Sequence, residues 1–207
     1  MTVGLKTKAR ELLDPVARFA ADLGISPTTI TVVGLGISMI AGVALARGHF
    51  LAAGTLVLLG GLCDMTDGAV ARAGGTATRT GAFLDSTLDR YSELVVLLGA
   101  LAYYLAGPGV TPEPVTAAVI FIALGGSLLV SYTRARAEAI GVECQVGIAE
   151  RPERLILIII GTLLGPAVFR VVLWILAILS HITAAQRIHH VVRTLSNDVP
   201  PRDNFRG

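Results

Sequence analysis

Apolar runs recur from Thr28 to Arg193, parted by short polar or Gly/Pro-rich breaks, and most are long enough to cross a bilayer as helices. Six spans are predicted, at about 28–46, 50–72, 81–106, 114–137, 154–169 and 171–192. The fifth is short, and with the sixth it can form a tight hairpin around GPAVFR. The first 24 residues differ. Leu5, Ala9, Leu12, Val16, Phe19 and Leu23 recur at helical spacing, with Lys6, Lys8, Arg10, Glu11, Asp14 and Arg18 between them. That is the pattern of an amphipathic helix lying on a membrane surface, with docking on a partner protein as the alternative. The expected fold is an all-α integral membrane protein: an interfacial helix over 1–24, a six-helix domain over 25–193, and a Pro-rich polar tail over 194–207.

Composition agrees: 53% of the 207 residues are hydrophobic and 15% charged, far from the balance of a soluble domain. The spans leave no length for a separate catalytic module, so any chemistry must sit among the helices. The N-terminus lacks the apolar core and small-residue cleavage site of a secretory signal. Cys63 and Cys144 have neither metal-ligand spacing nor an evident disulfide partner. Of 17 Lys and Arg, only Arg47 and Arg170 fall in the connections after the first, third and fifth spans. The positive-inside rule therefore places both termini, and the acidic stretch discussed next, on the cytoplasmic side.

That stretch is LCDMTDGAVARAGGTATRTGAFLDSTLDR, residues 62–90, which places Asp64, Asp67, Asp85 and Asp89 within or beside apolar spans. One Asp at a helix centre costs roughly 3 kcal/mol, so four uncompensated acids demand a partner. Asp64 and Asp67 share one helix face, as do Asp85 and Asp89. The short loop between their helices implies antiparallel neighbours with all four acids at one depth, roughly 12 Å from the loop at 1.5 Å per residue. An all-oxygen donor set without His or Cys suits magnesium, manganese or calcium. The competing explanation is neutralisation by protons or by Arg72, Arg79 and Arg90. Gly68, Ala69 and Ala71 keep the second helix thin, either for packing or for the approach of a bulky ligand.

With its spacings intact, Asp64-x2-Asp67-Gly68-x2-Ala71-Arg72-x8-Gly81-x3-Asp85-x3-Asp89 resembles the signature of the CDP-alcohol phosphotransferases. The resemblance implies a surface helix followed by six membrane helices, usually as a homodimer, and a reaction in which an alcohol attacks the diphosphate of a CDP-linked lipid and CMP leaves. It implies that Asp64, Asp67 and Asp85 hold one or two divalent ions, Mg2+ or Mn2+. Asp89 would be the general base and would share a metal. It further implies that Gly68, Ala71, Arg72, Thr78 and the PTTIT entry to the first span (Pro27, Thr28, Thr29, Ile30 and Thr31) bind the CDP-lipid.

A basic group gathers at the same membrane face: Ser131 with Arg134, Arg136, Arg151, Arg154 and Arg187. Singly, each arginine reads as a positive-inside anchor; together they suit a phosphate, which guanidinium groups pair bidentately. SYTRARAEA with ERPER resembles the actinobacterial phosphatidylinositol phosphate synthases, which implies that Ser131, Arg134, Arg136, Arg154 and Arg187 hold the phosphate and ring of an inositol phosphate. Arg134 stands where that subfamily leads one to expect Lys. The expected partners are CDP-diacylglycerol, inositol phosphate and membrane lipid, with no nucleic acid, in a bacterial cell membrane. A phosphatidylglycerophosphate synthase is the alternative enzyme. A divalent-cation transporter is disfavoured because the polar groups gather at one face rather than at a midplane site.

Overall fold

The computed structural model describes residues 23–75 and 77–197, together with positions 15 and 20. The surface helix expected over 1–24 and the end of the tail therefore lie almost wholly outside the described residues. What is described forms six helices: α1 Pro27–Ala46, α2 Phe50–Ala73, α3 Arg79–Ala106, α4 Pro114–Ala139, α5 Arg151–Leu163 and α6 Pro166–Asn197. No strand occurs among these residues.

Local chemistry sets the helix starts. The Ser26 hydroxyl accepts from Thr29 N at 3.1 Å, and Thr78 accepts from Gly81 N at 3.0 Å, each capping an orphan amide. Pro opens α1, α4 and α6 and lies in the first turn of α5, where a missing N–H is harmless. The hairpin between the last two helices turns earlier than the sequence pattern suggested. Gly165 adopts φ +93° and Pro166 follows it, so α5 stops at Leu163 and α6 takes over Phe169, which is fully buried. At the far end α6 runs on to Asn197, past Val192 and into the stretch expected as tail. Four helices, α1, α2, α4 and α6, are long and apolar enough to cross a membrane. Their outward faces expose large apolar side chains such as Ile40, Leu51, Phe121 and Ile178, as a lipid-facing surface would.

The packing differs from the expected antiparallel pair. α1 packs along both α2 and α3, which barely touch each other. Small residues allow this: a Cβ on Gly99 of α3 would run into the Gly42 backbone of α1, and one on Gly42 would sit 2.7 Å from the Val95 carbonyl oxygen. α5 closes on α2 and α6, and α4 on α6 and α3. The main core, including Leu45, Ala53, Leu97, Tyr104, Ile120, Phe169 and Leu173, fills the half of the bundle away from the acids. There Tyr104 donates to the Pro166 carbonyl at 2.6 Å, and Arg170 pairs with Glu113 at 2.7 Å, tying the connections together. Towards the acids this core gives way to a cleft between α2 and α3.

The α1–α3 crossing depends on having no side chain at Gly99. Gly99→Val should lower stability by about 1–3 kcal/mol through overpacking, measured as the denaturant or thermal transition of the detergent-purified protein. An unchanged transition would show that the crossing can widen at no cost.

Candidate active site

Asp64 and Asp67 sit in the last turns of α2, and Asp85 and Asp89 in the first turns of α3. One carboxylate oxygen from each of Asp64, Asp67 and Asp85 lies within 4.8 Å of the others. The Thr31 hydroxyl of α1 donates to Asp67 Oδ2 at 2.6 Å, and Asp67 is buried. Asp85 Oδ1 is buried and has no hydrogen-bond partner among the described residues. An orphaned carboxylate oxygen beside two further carboxylates, with no sulfur or imidazole in the group, is a donor set that fits a hard divalent cation.

Asp89 lies outside this group of three but beside Asp64. From the first turn of α5, Arg151 reaches it with Nη2 at 2.5 Å and reaches Asp64 Oδ2 with Nη1 at 2.7 Å. One guanidinium thus links α2, α3 and α5, and it supplies compensation from a residue other than Arg72, Arg79 and Arg90, the arginines of the competing explanation. Arg151 was visible as one of a basic group; its placement at the acids was not. The signal was its spacing, one helical turn before Arg154, opposite a glutamate one turn beyond Asp89.

Besides a 40 Å3 cavity beside Asp64, Asp67 and Asp89, two larger ones open from the acids. One, of 210 Å3, lies between α1, α2 and the start of α3. Pro27, Thr28, Thr31, Gly68, Ala71, Arg72 and Thr78 line it together with Asp67 and Asp85. The Arg72 guanidinium folds back over Gly68, where a Cβ would sit 3.3 Å from Nη1. Thr29 and Ile30 do not line it: Thr29 turns to Ser26, and Ile30 packs with Ala69 and Val70. The other cavity, of 500 Å3, runs from the acids and Arg151 between α2 and α5 to the apolar Leu58, Leu62, Ile156 and Ile159.

The basic group on α4, α5 and α6 is arranged differently from a simple open cluster. Arg154 is buried and donates through Nε and Nη2 to Glu93 Oε1 and Oε2, both at 2.9 Å, and through Nη1 to the Ala149 carbonyl. Arg187, also buried, donates to the carbonyls of Val130 and Val146 and to Glu150. Arg134 and Arg136 are exposed, Arg134 pairing with Glu138 at 2.8 Å, and Ser131 is half-buried on the same helix. None of these five lines either cavity at the acids. Glu93 had drawn no attention in the sequence.

The family model described as CDP-alcohol phosphatidyltransferase matches residues 24–183. The chain belongs to the CDP-alcohol phosphatidyltransferase family. Among its relatives in that family, the phosphatidylinositol phosphate synthase of Mycobacteroides abscessus is 36% identical, over 87% of this chain and 84% of that one. The archaetidylinositol phosphate synthase of Pyrococcus horikoshii is likewise 36% identical, over 92% and 96%. The crystal structure of the Mycobacterium tuberculosis phosphatidylinositol phosphate synthase with CDP-DAG bound superposes with a TM-score of 0.80, at 34% identity, covering 87% of this chain and 94% of that one. A structure of the same enzyme in complex with manganese and citrate gives 0.79 at 35% identity, covering 87% and 88%.

For this CDP-alcohol phosphatidyltransferase, the Thr31–Asp67 hydrogen bond offers a test of the three-carboxylate group. Thr31→Val should weaken Mn2+ binding by about 10- to 100-fold, as loss of an outer-shell partner does, measured as free Mn2+ by electron paramagnetic resonance. Affinity equal to the parent protein would separate Asp67 from the ion site.

Proposed function

We propose that the protein transfers the phosphatidyl group of CDP-diacylglycerol to an inositol phosphate, releasing CMP and forming phosphatidylinositol phosphate. The observation that carries this is the placement of three carboxylates at the meeting of two cavities of different character. One is compact and the more polar of the two; the other is long, with apolar walls between α2 and α5, and Arg72 stands at both. A lipid joined to a nucleotide through a diphosphate needs such a pair of cavities with its diphosphate at their junction. Bacterial and archaeal relatives differ in the lipid their names carry and share the inositol phosphate, which supports that acceptor over glycerol 3-phosphate. A transporter is a poor fit, because the main core fills the half of the bundle beyond the acids.

In this assignment Asp64, Asp67 and Asp85 hold one or two ions of Mg2+ or Mn2+. A divalent ion there neutralises charge on the diphosphate and on the leaving CMP. Arg72 holds the diphosphate over Gly68, and Pro27, Thr28, Thr31, Ala71 and Thr78 form the nucleotide end, with Thr29 and Ile30 packed behind them. The acceptor hydroxyl attacks the phosphorus that carries the diacylglycerol, the bond from that phosphorus to the CMP oxygen breaks, and the hydroxyl proton passes to Asp89. Arg151 keeps Asp89 pointed at that position. Ser131, Arg134, Arg136, Arg154 and Arg187 take the acceptor side, with the exposed Arg134 and Arg136 meeting the phosphate and the buried Arg154 and Arg187 building the wall behind it. The chain sits in the membrane as one surface helix and six spans, termini and site cytoplasmic, as a homodimer; the positive-inside bias and the family resemblance support this arrangement.

CMP release by the purified protein decides the reaction. Wild type should work with CDP-diacylglycerol and myo-inositol phosphate, fail with free inositol and glycerol 3-phosphate, and stop in excess EDTA until Mg2+ or Mn2+ returns. Asp64→Asn, Asp67→Asn and Asp85→Asn should each abolish release in folded protein, and near-normal rates in two of them would remove the ion site. Asp89→Asn should keep metal-dependent CDP-diacylglycerol binding yet lose turnover by about two to four decades. Arg134→Ala and Arg136→Ala should each raise the acceptor KM about ten-fold or more, the worth of a charge-assisted bond, with the donor KM unchanged.

A further inference from the structure

Glu93 lies outside the family signature, one turn beyond Asp89 on α3, and its side chain is only 12% exposed. Arg154, at 2% exposed, grips both of its carboxylate oxygens, and the buried Ser127 of α4 lies beside it. Burying two ions costs several kcal/mol each before their attraction is counted, and an apolar pair of similar volume would often hold two helices together as well or better. A forked, bidentate pair instead supplies direction, since the planar guanidinium accepts a carboxylate in few orientations.

That direction matters because of how α5 is held. It packs on α2 and α6, with Leu155 against Gly61 and Leu163 against Gly54, apolar contacts that carry no directional bond. It does not pack along α3. Two ion pairs one turn apart, Asp89 with Arg151 and Glu93 with Arg154, join α3 to α5. Arg154 also holds the Ala149 carbonyl, just before the helix begins. The inner rung is the more buried and is doubly bonded; the outer rung carries the residues of the proposed chemistry.

We propose that Glu93 is a positioning residue of this site: its grip on Arg154 sets the rotation of α5 that lays the Arg151 guanidinium between Asp64 and Asp89. The proposal rests on the phosphatidyl-transfer assignment for its kinetic consequences, and on geometry alone for its structural one. Glu93→Gln should lower kcat by about 10- to 100-fold, the scale expected for a catalytic group displaced by roughly 1 Å, with KM for both substrates within about three-fold. In an Arg151→Ala background the same change should lower kcat by less than about two-fold, because the residue through which it acts is gone. Glu93→Asp keeps the charge but shortens the reach and should give an intermediate rate; it carries the test if Glu93→Gln does not purify as a folded species. Effects that multiply in the double variant, a wild-type rate in Glu93→Asp, or a lower Tm with kcat preserved would each overturn the proposal. A second measurement needs no turnover. Spin labels on Tyr91→Cys and Ile156→Cys, in a background with Cys63 and Cys144 replaced by Ala, report the α3–α5 distance by pulsed electron resonance. The distribution should shift or broaden on Glu93→Gln and stay fixed on the exposed control Glu138→Gln. An unchanged distribution on Glu93→Gln overturns the positioning role. Absence of CMP release from wild type with every acceptor would remove the transferase assignment and leave this distance to decide.

Discussion

Like charge held at membrane depth is the constraint on which the rest of this molecule depends. Ionised carboxylates 4.8 Å apart, the outer separation of the Asp64, Asp67 and Asp85 oxygens, repel by about 3 kcal/mol per pair at an effective dielectric of about 20. Two helices bearing such groups cannot simply be zipped together. The fold answers by letting α1 bind both α2 and α3 along its length, so that neither needs the other as a packing partner. The cleft left between them is the site. Around it, compensation is local and specific: a hydroxyl from α1 on Asp67, a guanidinium from α5 on Asp64 and Asp89, and an oxygen of Asp85 left bare for an ion.

Much of this was legible in the sequence, for an identifiable reason. Spacing within one helix is rigid, so Asp64 and Asp67, or Asp85 and Asp89, could be placed on common faces and at a common depth without knowing the fold. The residues expected around the CDP-lipid come from the end of α2, the Thr78 cap and the entry to α1, segments close to the acids, and most of them do line one cavity. What depended on packing across the bundle was lost. A short loop fixes that α2 and α3 are antiparallel, but not whether they touch. The space was taken by α1, and the cue lay in Gly42 and Gly99, whose absent side chains look in a sequence like any other small residues of a membrane helix.

The arginines show the same limit in another form. At a cytoplasmic helix end an arginine serves as a topological anchor by default, and nothing in its neighbours along the chain separates that role from a ligand or a strut. Arg134 and Arg136, one turn or less apart from Ala137 in the chain, are exposed; Arg154 and Arg187 are buried, and each donates from all three nitrogens to protein acceptors. The distinguishing observation is the partner, and the partners lie on other elements: Glu93 on α3 for Arg154, the Val130 carbonyl on α4 for Arg187.

The shortness of α5 explains why those partners are needed. At 13 residues it is about 20 Å long, well under the hydrocarbon thickness of about 30 Å. Its core-side end is fixed by the Gly165–Pro166 reversal and the buried Phe169. The missing length must therefore be made up on the acid side, by bringing the connection from α4 down towards the bundle. Irregular backbone is tolerated there only if its polar groups are met from within the protein. They are: Thr183 accepts from Ala149 N, Arg154 donates to the Ala149 carbonyl, and Arg187 donates to the Val146 carbonyl. The same descent carries Arg151 to the level of the carboxylates, which a full-length span starting at the membrane surface would hold out of reach. A short helix, a partly buried loop and two arginines held at all three nitrogens by protein acceptors are thus consequences of one requirement, that a cation enter the acid cleft from a helix other than the two that bear the acids.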